Sequence, residues 1–142
     1  MAKTVKRRPP KVYVAGPITS SGNLTENVRH GISVGNLLLR DGVIPFVPHL
    51  SELWNYVTVV DYDTWLYYDK EWIRTCDALL RLPGKSKGAA REVRWANRLG
   101  IPVFTSYEKL IQWVNEVFMT GPKSILKKDT KSSRSKRVAK SH

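Results

Sequence analysis

The sequence predicts a doubly wound α/β fold, a mostly parallel sheet of four to five strands with helices on both faces. Three observations predict it. Short β-rich runs alternate with segments of helical periodicity through most of the chain. Gly, Pro and helix-capping residues punctuate the boundaries between them. The length of 142 residues with 42% hydrophobic content is enough for one packed core and not for two.

The elements follow in order. Lys11-Val12-Tyr13-Val14-Ala15-Gly16 is a β-rich run ended by Gly16-Pro17. From Asn23 the pattern turns helical, with Leu24, Val28, Ile32 and Leu39 at helix-compatible spacing and Gly42 as a stop. Asn23 with Glu26 three residues on forms a capping box. Residues 43–47, VIPFV, form a second strand, followed by a long aromatic-rich connection, PHLSELWNYVTVVDYD. Residues 63–76 read as a helix, Ala78–Leu82 as a third strand, and Gly88 to Leu99 as a helix that stops at Gly100. IPVF is a fourth strand. Thr105 and Glu108 form a second capping box, before a stripe of Leu110, Ile111, Val114, Val117 and Phe118. The alternation implies a Rossmann- or flavodoxin-like sheet, whose ligands bind beyond the carboxyl ends of the strands. Residues Gly16–Gly22, Pro48–Trp54 and Pro83–Gly88 occupy those positions.

The formal net charge is +12, and its location matters. Residues 1–11 carry +5, residues 120–142 carry +7, and the middle of the chain is neutral. The expected organisation is a basic N-terminal arm over 1–10, an α/β domain over 11–119, and a basic, disordered tail over 120–142, rich in Ser and Lys without aromatics. The tail reads either as a solubilising segment or as a nonspecific nucleic-acid contact or nuclear-type basic address. One cysteine, Cys76, rules out an internal disulfide framework and a multi-cysteine zinc site. His30, His49 and His142 lack metal-ligand spacing, so neither a metal nor another cofactor is expected. No apolar run approaches the roughly 18–20 residues that span a bilayer, and no signal-peptide stretch follows the basic start. A soluble, reducing, cytoplasmic setting is expected.

Two carboxyl groups stand in apolar surroundings. The helix over 63–76 shows Trp65, Leu66, Trp72, Ile73 and Cys76 on its core face, and Asp69 occupies the missing place in that series. A carboxylate there costs free energy unless a backbone group, an Arg or a ligand uses it. Glu92 lies on the edge of the inward face formed by Ala89, Val93 and Ala96, near a helix N-terminus that would keep it ionised, as suits a nucleophile. A Glu that merely stabilises the helix is the plainer reading. The segment LPGKSKGAAREV places Ser86, Lys85, Lys87 and Gly88 between a strand and a helix, where backbone N–H groups can hold a phosphate. It has neither Walker A nor GxGxxG spacing. The loop AGPITSSG, with Gly16, Pro17 and Ile18, is a second anion-loop candidate at the same sheet edge.

Four elements together resemble the nucleoside 2-deoxyribosyltransferase superfamily, which includes the 2′-deoxynucleoside 5′-monophosphate N-glycosidases. They are Tyr13-Val14-Ala15-Gly16-Pro17-Ile18, Asp69-Lys70-Glu71-Trp72, Cys76-Asp77-Ala78 and Ser86-Lys87-Gly88-Ala89-Ala90-Arg91-Glu92, within residues 11–104. The last, S-x-G-x-x-x-E after a strand, is the most specific. The resemblance implies that Glu92 is the nucleophile attacking the sugar C1′, that Asp69 orients the sugar and handles the proton, and that Tyr13 hydrogen-bonds near the nucleophile. It implies a phosphate-binding role for Ser86, which favours a 5′-monophosphate substrate, and a homodimer or larger homo-oligomer whose neighbour completes the site.

A retaining cleavage with Glu92 and Asp69 as the carboxyl pair agrees with the chemistry of glycosidic bonds. His49 is placed to touch the base or to serve as a structural histidine. Trp54, Tyr62 and Trp65 are stacking candidates or plain core aromatics. The expected activity is hydrolysis of a nucleoside monophosphate, with base exchange as the close variant. A phosphoribohydrolase would carry PGGxGTxxE, whose double Gly and Thr are absent here. A nucleotide sensor or nucleic-acid-binding module without turnover is the non-enzymatic alternative.

Overall fold

The computed structural model describes residues 5–20, 22–118 and 124–127. Among the described residues the strands and α-helices follow in the order β1 Lys11–Ala15, α1 Leu24–Arg40, β2 Ile44–Phe46, α2 Ser51–Val57, α3 Tyr62–Thr75, β3 Ala78–Arg81, α4 Lys87–Arg98, β4 Val103–Phe104 and α5 Tyr107–Val117. The strands form one parallel sheet in the order β2-β1-β3-β4. The chain runs outward from β1 to β2, then crosses back to β3 on the other side. The switch in direction lies between β1 and β3, where open sheets of this kind leave a crevice at their carboxyl edge.

The alternation of side chains along β1 assigns the two faces of the sheet. Val12 and Val14 join Leu38 of α1, Leu80 of β3 and Leu110 and Val114 of α5 in one core. Tyr13 and Ala15 point the opposite way, into a second core with Leu79, Ile73 of α3 and Ala89 and Ala96 of α4. Helices therefore cover both faces. Each large aliphatic side chain so buried contributes about 1.5–3 kcal/mol.

Several local features differ from the sequence reading. The connection after β2 is not a plain loop: Pro48–Leu50 makes a 3-10 turn that leads directly into α2. Pro48 at its first position presets the backbone for that turn. The buried face of α1 is Gly31, Val34, Gly35 and Leu38, while Leu24 and Ile32 are exposed. Glycine allows this close approach: a Cβ on Gly31 would stand 2.7 Å from Cγ of His49, and one on Gly35 2.8 Å from a methyl of Val47. Asn23 caps α1 as expected, its side chain accepting the Glu26 N–H at 3.4 Å. The cap of α5 is Ser106 and not Thr105, with Ser106 Oγ accepting the Lys109 N–H at 3.3 Å. Trp72 does not enter the core of α3; it is 42% exposed and stacks on Phe46 of β2 with ring centroids 4.8 Å apart.

Part of the basic N-terminal arm is docked. Arg8 donates twice to the Asp77 carboxylate, at 2.7 Å each, and the Lys11 N–H donates to it at 2.8 Å. Lys6 lies 3.7 Å from the same carboxylate. These partners hold the Asp77 carboxyl below its ordinary pKa although burial opposes them. Residues 1–4 of the arm, and 120–123 and 128–142 of the expected tail, lie outside the described residues. No described helix is long and apolar enough to cross a membrane.

Candidate active site

A cavity of about 710 Å³ opens at the carboxyl edge of the sheet, between the loops that follow β1 and β3 and under α2 and α3. Its size lies within the range of small-molecule sites, ~300–1,000 Å³. Ten of the candidate site residues singled out in the sequence line it: Gly16, Ile18, Tyr62, Trp65, Asp69, Lys85, Ser86, Lys87, Gly88 and Glu92. Two hydrogen bonds fix the β1 loop at its mouth. Asn27 of α1 donates its side-chain amide to the Ile18 carbonyl at 2.8 Å, and Ser20 donates its hydroxyl to the Lys85 carbonyl at 2.8 Å. The second bond ties the two candidate anion loops together.

Glu92 sits in the second turn of α4 and is buried. Tyr13, wholly buried on β1, donates its hydroxyl to Oε2 of Glu92. Tyr13 does not line the cavity; it stands behind the carboxylate and orients it. Burial and the neighbouring acids push the Tyr13 hydroxyl well above its ordinary pKa, so it stays a donor. Burial raises Glu92 to about 8, the nearby Asp69 adds to the rise, and Tyr13, Arg81 and Arg91 act against it. This corrects the expectation that a helix N-terminus keeps Glu92 ionised. The macrodipole fades beyond the first turn, and desolvation outweighs it here.

Asp69 comes to the same cavity from α3. Its Oδ1 is fully buried without a hydrogen-bond partner, and burial raises its pKa to about 7. Two carboxyl groups thus share one pocket, each raised by burial into the neutral range. Such a pair is poised to hold and pass a proton near neutral pH.

Ser86 is the N-cap of α4, its Oγ accepting the Ala89 N–H at 3.1 Å. That bond uses a lone pair and leaves the hydroxyl proton free to donate. The backbone N–H groups of Lys87 and Gly88, in the first turn, have no partner within the helix by geometry. Lys85 and Lys87 line the cavity beside them. The arrangement suits an anion.

Pro17 and His49 do not line the cavity. His49 is buried against Gly31. Burial pushes its pKa down to about 4, with the Pro17 backbone opposing, so the ring is neutral at pH 7. Trp54 is also outside the lining; it packs edge-on against Trp65, ring centroids 5.5 Å apart. Tyr62 does line it and accepts a hydrogen bond from Arg91 at 2.8 Å.

Ser51 and Glu52, in the Pro48–Trp54 segment expected at the sheet edge, also line the cavity, as do Asn55 and Trp95, which the sequence did not single out. The first three belong to α2, within the segment read as a loop. A turn-forming Pro48 ahead of Ser51 and Glu52 was the available signal. Among the described residues no group of three or more His, Cys, Asp or Glu is arranged to hold a metal ion.

Solved structures share this architecture. The 2-deoxyribosyltransferase of Bacillus psychrosaccharolyticus superposes with a TM-score of 0.51 at 24% identity, covering 66% of this chain and 69% of that one. The 2-desoxiribosyltransferase of Leishmania mexicana gives 0.51 at 22% identity, covering 81% and 77%. A conserved protein of Enterococcus faecalis V583 gives 0.50 at 21%, covering 77% and 76%. At these identities the likeness is one of fold. No curated protein matches the chain. The profile described as "Domain of unknown function (DUF4406)" spans residues 10–105, from the residue before β1 to the residue after β4, so that both carboxyl groups, Tyr13 and the Ser86 loop fall inside it; the chain belongs to the DUF4406 family.

Proposed function

We propose that the protein is an enzyme that hydrolyses the N-glycosidic bond of a 2′-deoxynucleoside 5′-monophosphate, through a covalent glycosyl ester on Glu92. The observation that carries this reading is the pair of raised carboxyl groups, Glu92 and Asp69, in one cavity with the Tyr13 hydroxyl on Glu92. Ionised Glu92 attacks C1′. The bond from C1′ to the base nitrogen breaks, its electron pair leaves with the base, and the Asp69 carboxyl supplies the proton. Water then adds to C1′, releases the Glu92 carboxylate and returns a proton to Asp69. Tyr13 donates to the carboxylate while it carries charge, before the attack and after water has released it.

Ser86, the first-turn N–H groups of α4 and Lys85 and Lys87 support a 5′-phosphate at the other end of the cavity. Gly16, Pro17 and Ile18 shape the loop that faces it, and Trp65 gives an aromatic wall. The fold shared with two 2-deoxyribosyltransferases favours a second reading, in which an acceptor base replaces water in the second step.

A second copy of the chain is the proposed partner. Leu53, Tyr56, Val57 and Val59 are each more than 60% exposed beside the cavity mouth, an apolar surface suited to a homodimer. Measuring the solution mass of wild type and of a Tyr56→Glu, Val57→Lys variant tests this; a wild-type monomer would refute it. The basic tail is proposed as a nonspecific nucleic-acid contact. Removing residues 128–142 should leave turnover intact and flatten the salt dependence of DNA or RNA binding. Truncation there retains Ile125, whose N–H bonds the Leu39 carbonyl at 2.8 Å. Unchanged binding after truncation would remove this role.

The enzymatic reading is tested by incubating the folded protein with each deoxynucleoside and nucleoside monophosphate, with and without an added base, and following free-base release. Release from monophosphates well above that from the matching nucleosides is expected. Equal or better cleavage of nucleosides would overturn the phosphate assignment, and no release from any of them would overturn the enzyme.

A further inference from the structure

Helix α2 has its polarity inverted. Its polar residues Ser51, Glu52 and Asn55 are half-buried and line the cavity, whereas Leu53, Trp54, Tyr56 and Val57 are exposed. Polar groups turned inward on an otherwise apolar helix need something to bind.

The bonding capacity of this edge is defined. Glu52 and Asn55 are three residues apart on one helix, so their side chains are neighbours. The Asn55 amide is fixed in orientation: its Oδ1 accepts the Val60 N–H at 2.9 Å and the Trp65 indole N–H at 3.4 Å. Only its Nδ2 group, a donor, remains for a ligand. The Glu52 carboxylate offers two acceptor oxygens and no donor. Val60, Tyr62 and Trp65 line the cavity beside them. The cavity lining therefore presents one donor and a two-oxygen acceptor on the same face of α2, beside the aromatic side chains of Tyr62 and Trp65.

Resting on the nucleotide reading of this cavity, we propose that Glu52 and Asn55 read the base and that the base is guanine. The guanine O6 accepts from Asn55 Nδ2, while N1–H and the 2-amino group donate to the two oxygens of Glu52. Thymine and uracil would set a second carbonyl against the carboxylate. Cytosine and adenine offer it only one amino group beside ring acceptors. Hypoxanthine keeps O6 and N1–H but lacks the 2-amino group, so dIMP isolates the second contact to Glu52.

The test compares dGMP, dIMP, dAMP, dCMP and dTMP, with kcat/KM for base release and, independently of turnover, calorimetric binding to the same protein. Wild type is expected to favour dGMP over dIMP by about 10–100-fold, the range for a hydrogen bond to a charged group. Glu52→Ala should bring the dGMP to dIMP ratio close to one in both measurements. A wild-type ratio already near one, a preference for another base, or a Glu52→Ala loss equal for all five overturns the proposal. If no base is released but dGMP binds more tightly than dIMP through Glu52, the base assignment stands and the enzymatic reading fails. Release with the wrong preference sinks the base assignment alone, and no binding of any nucleotide sinks both.

Discussion

The Tyr13 hydroxyl on β1 donates to Oε2 of Glu92 on α4, joining the central strand of the sheet to the candidate nucleophile. The two residues are 79 positions apart in sequence, and only the packing of α4 across β1 and β3 brings them together. A hydrogen bond to a charged group is worth about 1.5–3 kcal/mol, or roughly 10–100-fold in rate if it is felt mainly in the charged states. Tyr13→Phe should therefore lower kcat/KM for base release by that factor with little effect on thermal stability, since the ring packing against Phe46 is kept. A variant with wild-type kinetics would show that the bond does no catalytic work.

The two raised carboxyl groups set the pH dependence. Attack requires Glu92 ionised and Asp69 protonated. On the acid side Glu92 holds its proton and there is no nucleophile; on the alkaline side Asp69 has lost its proton and there is no acid. With Glu92 at about 8 and Asp69 at about 7, the active arrangement is the less populated form of the singly protonated pair. The profile of kcat/KM should be bell-shaped with its maximum between pH 7 and 8. Asp69→Asn should lower the rate and abolish the alkaline limb. A flat profile from pH 6 to 9, roughly a unit beyond either apparent value, would contradict the coupling.

The same burial has a stability consequence. Glu92 has a folded pKa raised from 4.5 to about 8, so it is neutral in the folded state while the unfolded chain ionises between those values. Its contribution to stability is present below pH 4.5 and is lost as pH rises to 8. Glu92→Gln removes the ionisation. The Tm difference between variant and wild type should be near zero at acid pH and reach a few degrees in favour of the variant by pH 8. A variant less stable than wild type at pH 8 would show that Glu92 supports the fold.

Much of this was legible in the chain, for identifiable reasons. Strand and helix alternation gave the sheet and its carboxyl edge, because periodicity and Gly stops are local signals. Asp69 announced itself as a carboxylate missing from an apolar stripe. The periodicity over α1 marks the helix but not its buried face, because two of the four buried positions are Gly31 and Gly35, and a glycine has no side chain for a hydrophobic pattern to register. The inward polar edge of α2 stayed hidden because its apolar residues face outward, against the usual sense. His49 follows a strand end, as a ligand contact would, yet it packs beneath α1. Nothing local distinguishes those two fates.

The account rests on Glu92 as nucleophile. The direct measurement is free-base release from deoxynucleoside monophosphates by wild type and Glu92→Gln under identical conditions at pH 7.5, with folding of both verified. The account predicts release by the wild type and a loss on the order of 10³-fold or more in the variant, the scale of removing a group that forms the covalent bond. Release by Glu92→Gln at the wild-type rate would contradict it.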